Sequence, residues 1–519
     1  MTDYEKYISF ICILIFLGCD DRLDEMRPHN MSDASTYLKK FENVVNATSG
    51  LYALFYGKVG GFTYDYIYEV VYHTLGEFRG NNVVFAEPFE GTSDVALGAP
   101  DAHFYLYSDQ KDQSFAWPMW IKMNQIVLGA SKNIEAIKLL EKEPTEQFRL
   151  DELKRLKGEN YFIRGLLFFH AVNAFGLPYW NEPDKNPGVP LDTTGSGQLL
   201  PRSSVKECYE SIIRDFNNAA SCLPDEKMDR SFANRAAAYG MLSRVYLYMG
   251  GRPDAPNVEY NKLAITYANK VFEVQNDVVD ILRGDEYKDL YLKDPKSNPE
   301  VLFAFNPANF PSDSPSYLHS YYSWSGFVYS KEEFPCPAVI SKDYEKIMDK
   351  EKDLRWKYFT TPSIRHQGRY TTTKYDGGEF ELFPGFVDFE CPTIFIRTGE
   401  VILNRAEAYA KSGEDGKALI DLNQIRERAG LSTLNGIGGQ QLKDSIFMER
   451  RRELAFEAQV YYDYTRNGIK LSREDVTTVY QDYIGRQYNE VDPSSSRRIV
   501  CLIPSEELKL NPALEQNTY

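Results

Sequence analysis

Positive charge is the first thing this chain lacks. Its 519 residues carry 59 Lys and Arg against 75 Asp and Glu, a net charge of −16. Nucleic acid demands a basic face for its phosphates, so that partner is excluded, and loose attachment to anionic lipid heads is disfavoured. Histidine is scarce. His29, His73, His103, His170, His319 and His366 stand in no metal or triad spacing. His170 falls in an apolar helical run and reads as a core residue. GxSxG, HExxH, the Walker loop and the dinucleotide glycine pattern are all missing. The neighbouring carboxylates Asp20-Asp21 and Glu506-Glu507 do not establish the facing geometry of a glycoside hydrolase. No catalytic residue, no metal site and no cofactor is therefore expected, and binding outranks catalysis.

Cysteine is sparse too, at seven. Cys208 and Cys222 fall on one predicted helix, roughly 21 Å apart at about 1.5 Å per residue, too far to bond. No CxxC or Cys/His spacing marks a zinc site. Cys208, Cys222, Cys336, Cys391 and Cys501 read as small buried hydrophobes, with at least one free thiol among them. Long apolar runs are missing except for Tyr7 to Leu17, which ends in Gly18-Cys19-Asp20-Asp21. It is too short to span a membrane and has the size of a signal-peptide core. A small residue before cysteine is what lipoprotein signal peptidase needs, so Cys19 is expected to carry lipid. Phe16, and the thin positive charge before the run, depart from the usual signal. The alternatives are an ordinary cleaved signal or a buried strand.

What the chain does have is hydrophobic residues at 43%, enough for a full core, and aromatics at 14%, with 37 Tyr and 5 Trp. Tyr pairs a flat apolar face with a hydroxyl, which suits stacking on sugars or gripping peptides, although most of these tyrosines fill boundary positions. Helical periodicity runs from about Ser32 to Gln275 and returns from Phe395 to Gly468. One pair of helices is predicted over Trp117 to Leu140 and Phe148 to Phe175, with Phe162, Ile163, Leu166, Leu167 and Phe169 as a buried stripe. Another begins at a capping box, Ser204 and Glu207, and continues into the alanine-rich run Ala233 to Gly250. There Ala236, Ala237, Gly240, Ser243 and Val245 leave room for a partner helix. A third pair carries Ile402, Leu403, Ala406 and Ala410, then Ala418, Leu422, Ile425 and Ala429. Consecutive antiparallel pairs with small residues at the crossings predict a mainly α fold of tetratricopeptide-like helical hairpins. Irregular stretches, Gly80 to Phe115 and about Asn298 to Pro392, interrupt it, with a short strand expected at Val301–Phe305. Loops that long and aromatic are expected to be functional.

Near the end stands Met448-Glu449-Arg450-Arg451-Arg452-Glu453-Leu454-Ala455-Phe456-Glu457, then Tyr462-Asp463-Tyr464 and Arg466-Asn467-Gly468. On physics alone it is a charged helix packed on one side, with Glu449 meeting Arg452 and Glu453 meeting Arg450. Its residue order resembles the C-terminal signature of the SusD/RagB family. Leu403-Asn404-Arg405-Ala406-Glu407-Ala408-Tyr409, Leu422 to Leu431 and the segment Ile503 to Tyr519 resemble the same family's preceding helices and closing stretch. Ala458, Val460 and Asn467 depart from it, standing where glycine, arginine and tryptophan are usual.

That resemblance implies four helical pairs with an irregular part laid over them. It also implies a non-catalytic lipoprotein of the outer membrane, facing outward, that captures a nutrient for a TonB-dependent transporter. The chain would then divide into a signal at 1–18, an N-terminal region at 19–300 and a C-terminal region at 301–519 packed with it as one body. An oligosaccharide is the first expected ligand. A peptide, as in RagB-like members, is the alternative, ahead of a protein scaffold or a glycosidase. A scaffold explains neither the signal nor the aromatic loops. Residues from similarly placed loops line the family's ligand site. Here they give Trp117, Tyr321, Tyr322 and Trp324 as stacking candidates and Arg79, Asn81 and Asn82 as hydrogen-bonding candidates, with Trp120 assigned to the core.

Overall fold

The computed structural model describes residues 34–55, 72–85, 116–144, 146–224, 229–275, 281–306, 338–363, 366–375, 392–475 and 490–518. The leader, with Cys19, lies outside them, as do Tyr321, Tyr322, Trp324, Cys336 and Cys391. The fold is mainly α, as the periodicity predicts. Among the described residues the strands form two-stranded sheets and nothing larger.

In chain order, α1 (Phe41–Leu54) precedes β1 (Val83–Phe85), α2 (Trp117–Leu140), α3 (Gln147–Phe175), α4 (Val205–Cys222), α5 (Arg235–Met249) and α6 (Val258–Val274). Then come β2 (Val301–Phe305), β3 (Ala338–Ile340), β4 (Thr393–Arg397), α7 (Thr398–Lys411), α8 (Asp415–Arg428), α9 (Gly439–Glu453) and α10 (Val460–Arg466). Each helix packs on the next: α1 on α2, α2 on α3, α3 on α4, α4 on α5 and α5 on α6; α6 then meets α7, which packs on α8 and α9. This is the hairpin stack that small residues and apolar stripes predict.

Local sequence explains the boundaries. The capping box forms: Glu207 N–H donates to Ser204 Oγ at 3.2 Å and Ser204 N–H to Glu207 Oε2 at 2.8 Å. Asn234 and Asn257 accept from Ala237 N–H and Tyr260 N–H in the same way, at 2.9 and 3.1 Å. The predicted stripe of α3 is wholly buried. Trp120 is core, edge-on to Phe175. His170 stacks on both Tyr72 and Phe395, as a core histidine should. Cys208 and Cys501 are buried, whereas Cys222 is half-exposed.

Two expectations need correction. The small face of α5 does not serve a helix alone. A Cβ on Gly240 would lie 2.9 Å from Ile396 and 3.2 Å from Leu302, so strands β4 and β2 fill the gap. The signature is not a one-sided charged helix either. Helix α9 stops at Glu453, and Phe456 and Ala458 follow with φ of +64° and +60°. That left-handed bend explains why glycine is usual at the position Ala458 holds. Glu449, Arg450, Arg451 and Glu453 are all buried. The Arg452–Glu449 pair forms at 3.1 Å, but Glu453 and Arg450 turn to other partners.

Candidate functional site

The two irregular stretches singled out in the sequence, and segment 56–71 beside them, adjoin one frame of described residues. Phe55, Tyr72, Phe305 and Phe395 cluster: Phe55 lies 5.7 Å from Phe305 and 6.4 Å from Phe395, ring centre to ring centre, and Tyr72 lies 5.2 Å from Phe395. Segment 56–71 joins Phe55 to Tyr72. Segment 307–337, which holds Tyr321, Tyr322 and Trp324, leaves just after Phe305 and ends at Ala338. Ala338 pairs with Phe85 across the antiparallel β1–β3 ladder, and Phe85 is where segment 86–115 departs. Phe305 pairs with Thr393 across β2–β4, and Thr393 lies just after segment 376–391. Four aromatic-bearing stretches of the sequence thus adjoin, at one end or both, a residue of these two ladders or of the ring cluster. Strand β2 falls on the predicted Val301–Phe305, but the other strands and the pairings were illegible beforehand, because strands of three to five residues carry little periodicity.

The hydrogen-bonding candidates lie elsewhere than expected. Asn82 is fully buried, its Nδ2 donating to Glu77 Oε1 at 3.1 Å and its Oδ1 accepting from Arg451 Nε at 2.8 Å. Asn81 Nδ2 donates to Tyr464 Oη at 3.1 Å and to the Ser472 carbonyl at 2.9 Å. Arg79 Nη2 donates to the Arg498 carbonyl at 2.6 Å, and its guanidinium lies over the Tyr461 ring. These three groups are spent on the seam between residues 74–85 and the C-terminal signature, rather than held out to a ligand. The flanking glycines were the available signal. A Cβ on Gly76 would fall 2.0 Å from the Ala458 carbonyl oxygen, and one on Gly80 would fall 2.4 Å from Val460. Trp117, half-buried, opens α2 directly after segment 86–115.

Behind the frame runs a dry ionic network that sequence reasoning missed. Arg397, on β4, donates to Glu300 at 2.8 Å, Glu453 at 2.7 Å and Glu457 at 2.8 Å. Arg428 reaches Glu300 at 2.8 Å and also Glu453, and Arg355 reaches Glu453 at 3.2 Å and Glu449 at 2.7 Å. Lys374 closes on Glu457 at 2.8 Å. Burial pushes the Glu457 carboxyl up, but Arg397 and Lys374 outweigh it and hold it at about 2. A second knot joins Glu407 to Arg466 at 2.6 Å and to Lys411 at 2.9 Å, and Asp463 to Arg450 at 3.0 Å. These charges lock the strands that carry the frame to the terminal helices. Carboxylates so neutralised are poor general acids or bases. Among the described residues no His, Cys, Asp and Glu group is arranged to hold a metal ion.

Fold and site together define a helical-hairpin scaffold with an aromatic frame held to it by buried ion pairs. The chain belongs to the SusD family. The family model described as the SusD family matches residues 388–519, and one described as "Starch-binding associating with outer membrane" matches 88–247. A SusD-like protein of Formosa agariphila, P25, is 22% identical across 98% of each chain, and another, P2, is 24% identical across 71% of this chain and 74% of its own. A SusD superfamily structure from Bacteroides thetaiotaomicron, 24% identical, superposes with a TM-score of 0.75 over 92% of this chain and 100% of its own. A SusD-like carbohydrate binding protein from Bacteroides vulgatus, 17% identical, gives 0.69 over 92% and 97%.

Proposed function

We propose that this chain is a non-catalytic lipoprotein of the outer membrane that binds an oligosaccharide and hands it to a TonB-dependent transporter. The observation that carries the glycan reading is the match of residues 88–247 to a family described as starch-binding and associating with the outer membrane. Cys19 is its lipidated residue, facing the exterior. Tyr321, Tyr322 and Trp324, with Trp117, stack on sugar rings from segments rooted in the aromatic frame, each ring adding on the order of 1 kcal/mol beyond buried area. Regions 19–300 and 301–519 act as one body, a reading supported by the core cluster they share.

Titration with neutral oligosaccharides, beside a peptide pool, tests the ligand class. Binding of a glycan, lost when Tyr321, Tyr322 and Trp324 are together replaced by Ala with no change in melting temperature, is the expected result. Binding that survives the triple replacement moves the site elsewhere. Binding of peptides alone replaces the glycan reading, and turnover of any bound glycan ends the non-catalytic one. Cys19→Ala should leave the membrane fraction, and co-purification with a transporter from the native membrane tests the partnership.

A further inference from the structure

A cleft of about 250 Å³ is lined by none of the frame residues. It lies between α2, the stretch 190–200 and the short C-terminal helix Ser505–Leu510. Trp120, Met123 and Phe168 form buried wall, whereas Leu199 and Leu510, lining the same cleft, are 64% and 66% exposed. Water-facing leucines beside an apolar hollow are costly unless something covers them. The volume falls just below the range of about 300–1,000 Å³ usual for small-molecule sites, so it suits one ring or a short alkyl chain.

The charge of the cleft is one-sided. Asp192 and Glu507 line it, and no Lys or Arg does. Asp192 is already used, accepting N–H groups from Gly195 at 2.9 Å, Ser196 at 3.1 Å and Gly197 at 2.7 Å. Glu507 is half-buried, and its Oε2 accepts from Trp120 Nε1 at 3.1 Å. Among the described residues no hydrogen bond reaches its Oε1 and no basic side chain pairs with it. A carboxylate beside apolar wall, lacking a cation, attracts positive charge more strongly than one in open water. Anionic ligands are repelled twice over.

We propose that this cleft binds an organic cation on an apolar stem: an amine or guanidinium borne by a short aliphatic chain or single ring. The stem covers Leu199 and Leu510, and the charged head pairs with Glu507 Oε1. The cation can be a free small amine or a basic side chain of a peptide. The site is independent of the glycan reading.

Hexylamine, hexanol and hexanoate differ in head group alone, and ligand-observed NMR titration of the full chain ranks them. Hexylamine is expected to bind about fivefold tighter than hexanol, the scale of a partly screened ion pair, and hexanoate weakest. Glu507→Gln keeps an acceptor for Trp120 Nε1–H, and should erase the preference for the amine while leaving hexanol unchanged. Leu510→Ser should weaken both. A capped leucyl-arginine dipeptide that outbinds hexylamine assigns the cation to a peptide; one that does not assigns it to a free amine. Equal binding of hexylamine and hexanol by the parent chain, or an amine preference that survives Glu507→Gln, overturns the proposal.

Discussion

Two regions of this molecule bury helices with a different balance of hydrocarbon and charge. Helix α3 is held mostly by hydrocarbon, with a buried ion pair, Arg164–Asp215 at 2.7 Å: Phe162 is edge-on to Phe216 and Phe303 at 5.5 and 4.9 Å, and Leu166 and Leu167 are fully buried. Helix α9 begins on hydrocarbon as well, with Leu442 and Ile446 fully buried, but its last turns bury Glu449, Arg450, Arg451 and Glu453. The difference teaches what each interface tolerates. An apolar contact loses what the missing atoms contributed plus the cavity they leave. A buried ionic contact loses far more than its net worth, because the abandoned charge has nowhere to go.

The largest expected effect follows from that asymmetry. Glu453→Ala strips Arg397, Arg428 and Arg355 of a shared partner and should destabilise the fold by about 3–5 kcal/mol in denaturant unfolding. A loss below about 1 kcal/mol would mean the network is decorative and the contrast false. Leu167→Ala, in the apolar region, should cost about 3 kcal/mol with no dependence on pH. A pH-dependent loss there would mix the two regions.

Glu77 sharpens the comparison, since it is buried at the seam and accepts from Asn82 Nδ2 and Ala458 N–H, with no cation in hydrogen-bond contact among the described residues. Burial pushes its carboxyl up to about 8, from an ordinary value of about 4.3. The folded state therefore holds the proton more tightly than the unfolded one. The stability this contributes is whole below about 4.3 and is lost as pH rises through 8. Glu77→Gln fixes the neutral form. Its advantage over the parent should grow by roughly 4 kcal/mol between pH 5 and pH 9, read from denaturant midpoints. Parallel pH profiles for the two proteins would show that Glu77 stays charged.

The smallest effect concerns the bend after α9. Ala458 holds φ +60°, a conformation that costs a residue with a Cβ about 1–2 kcal/mol. Ala458→Gly relieves it but frees the unfolded chain, so a net gain of about 0.5 kcal/mol is expected by thermal unfolding. A net loss would show that the Ala458 methyl, buried in the core, matters more than the backbone strain.

The amino-acid order by itself determined the helical hairpins, from Trp117–Leu140 to the pair around Leu403 and Leu422. Apolar spacing, the Ser204 cap and the glycine stops act within a few residues of one another, so a linear reading captures them. It also carried the family's signature, as residue order, without revealing why that order matters. Tertiary structure alone decided that Arg397, Glu300 and Glu453, far apart in sequence, share one dry site. Charged residues are nearly always exposed, so nothing local marks these as interior. The same holds for Arg79, Asn81 and Asn82: polar residues flanked by glycine look like a display loop until the C-terminal signature closes over them. Hydrogen bonds between segments more than 300 residues apart are set by packing, and packing is a property of the whole fold.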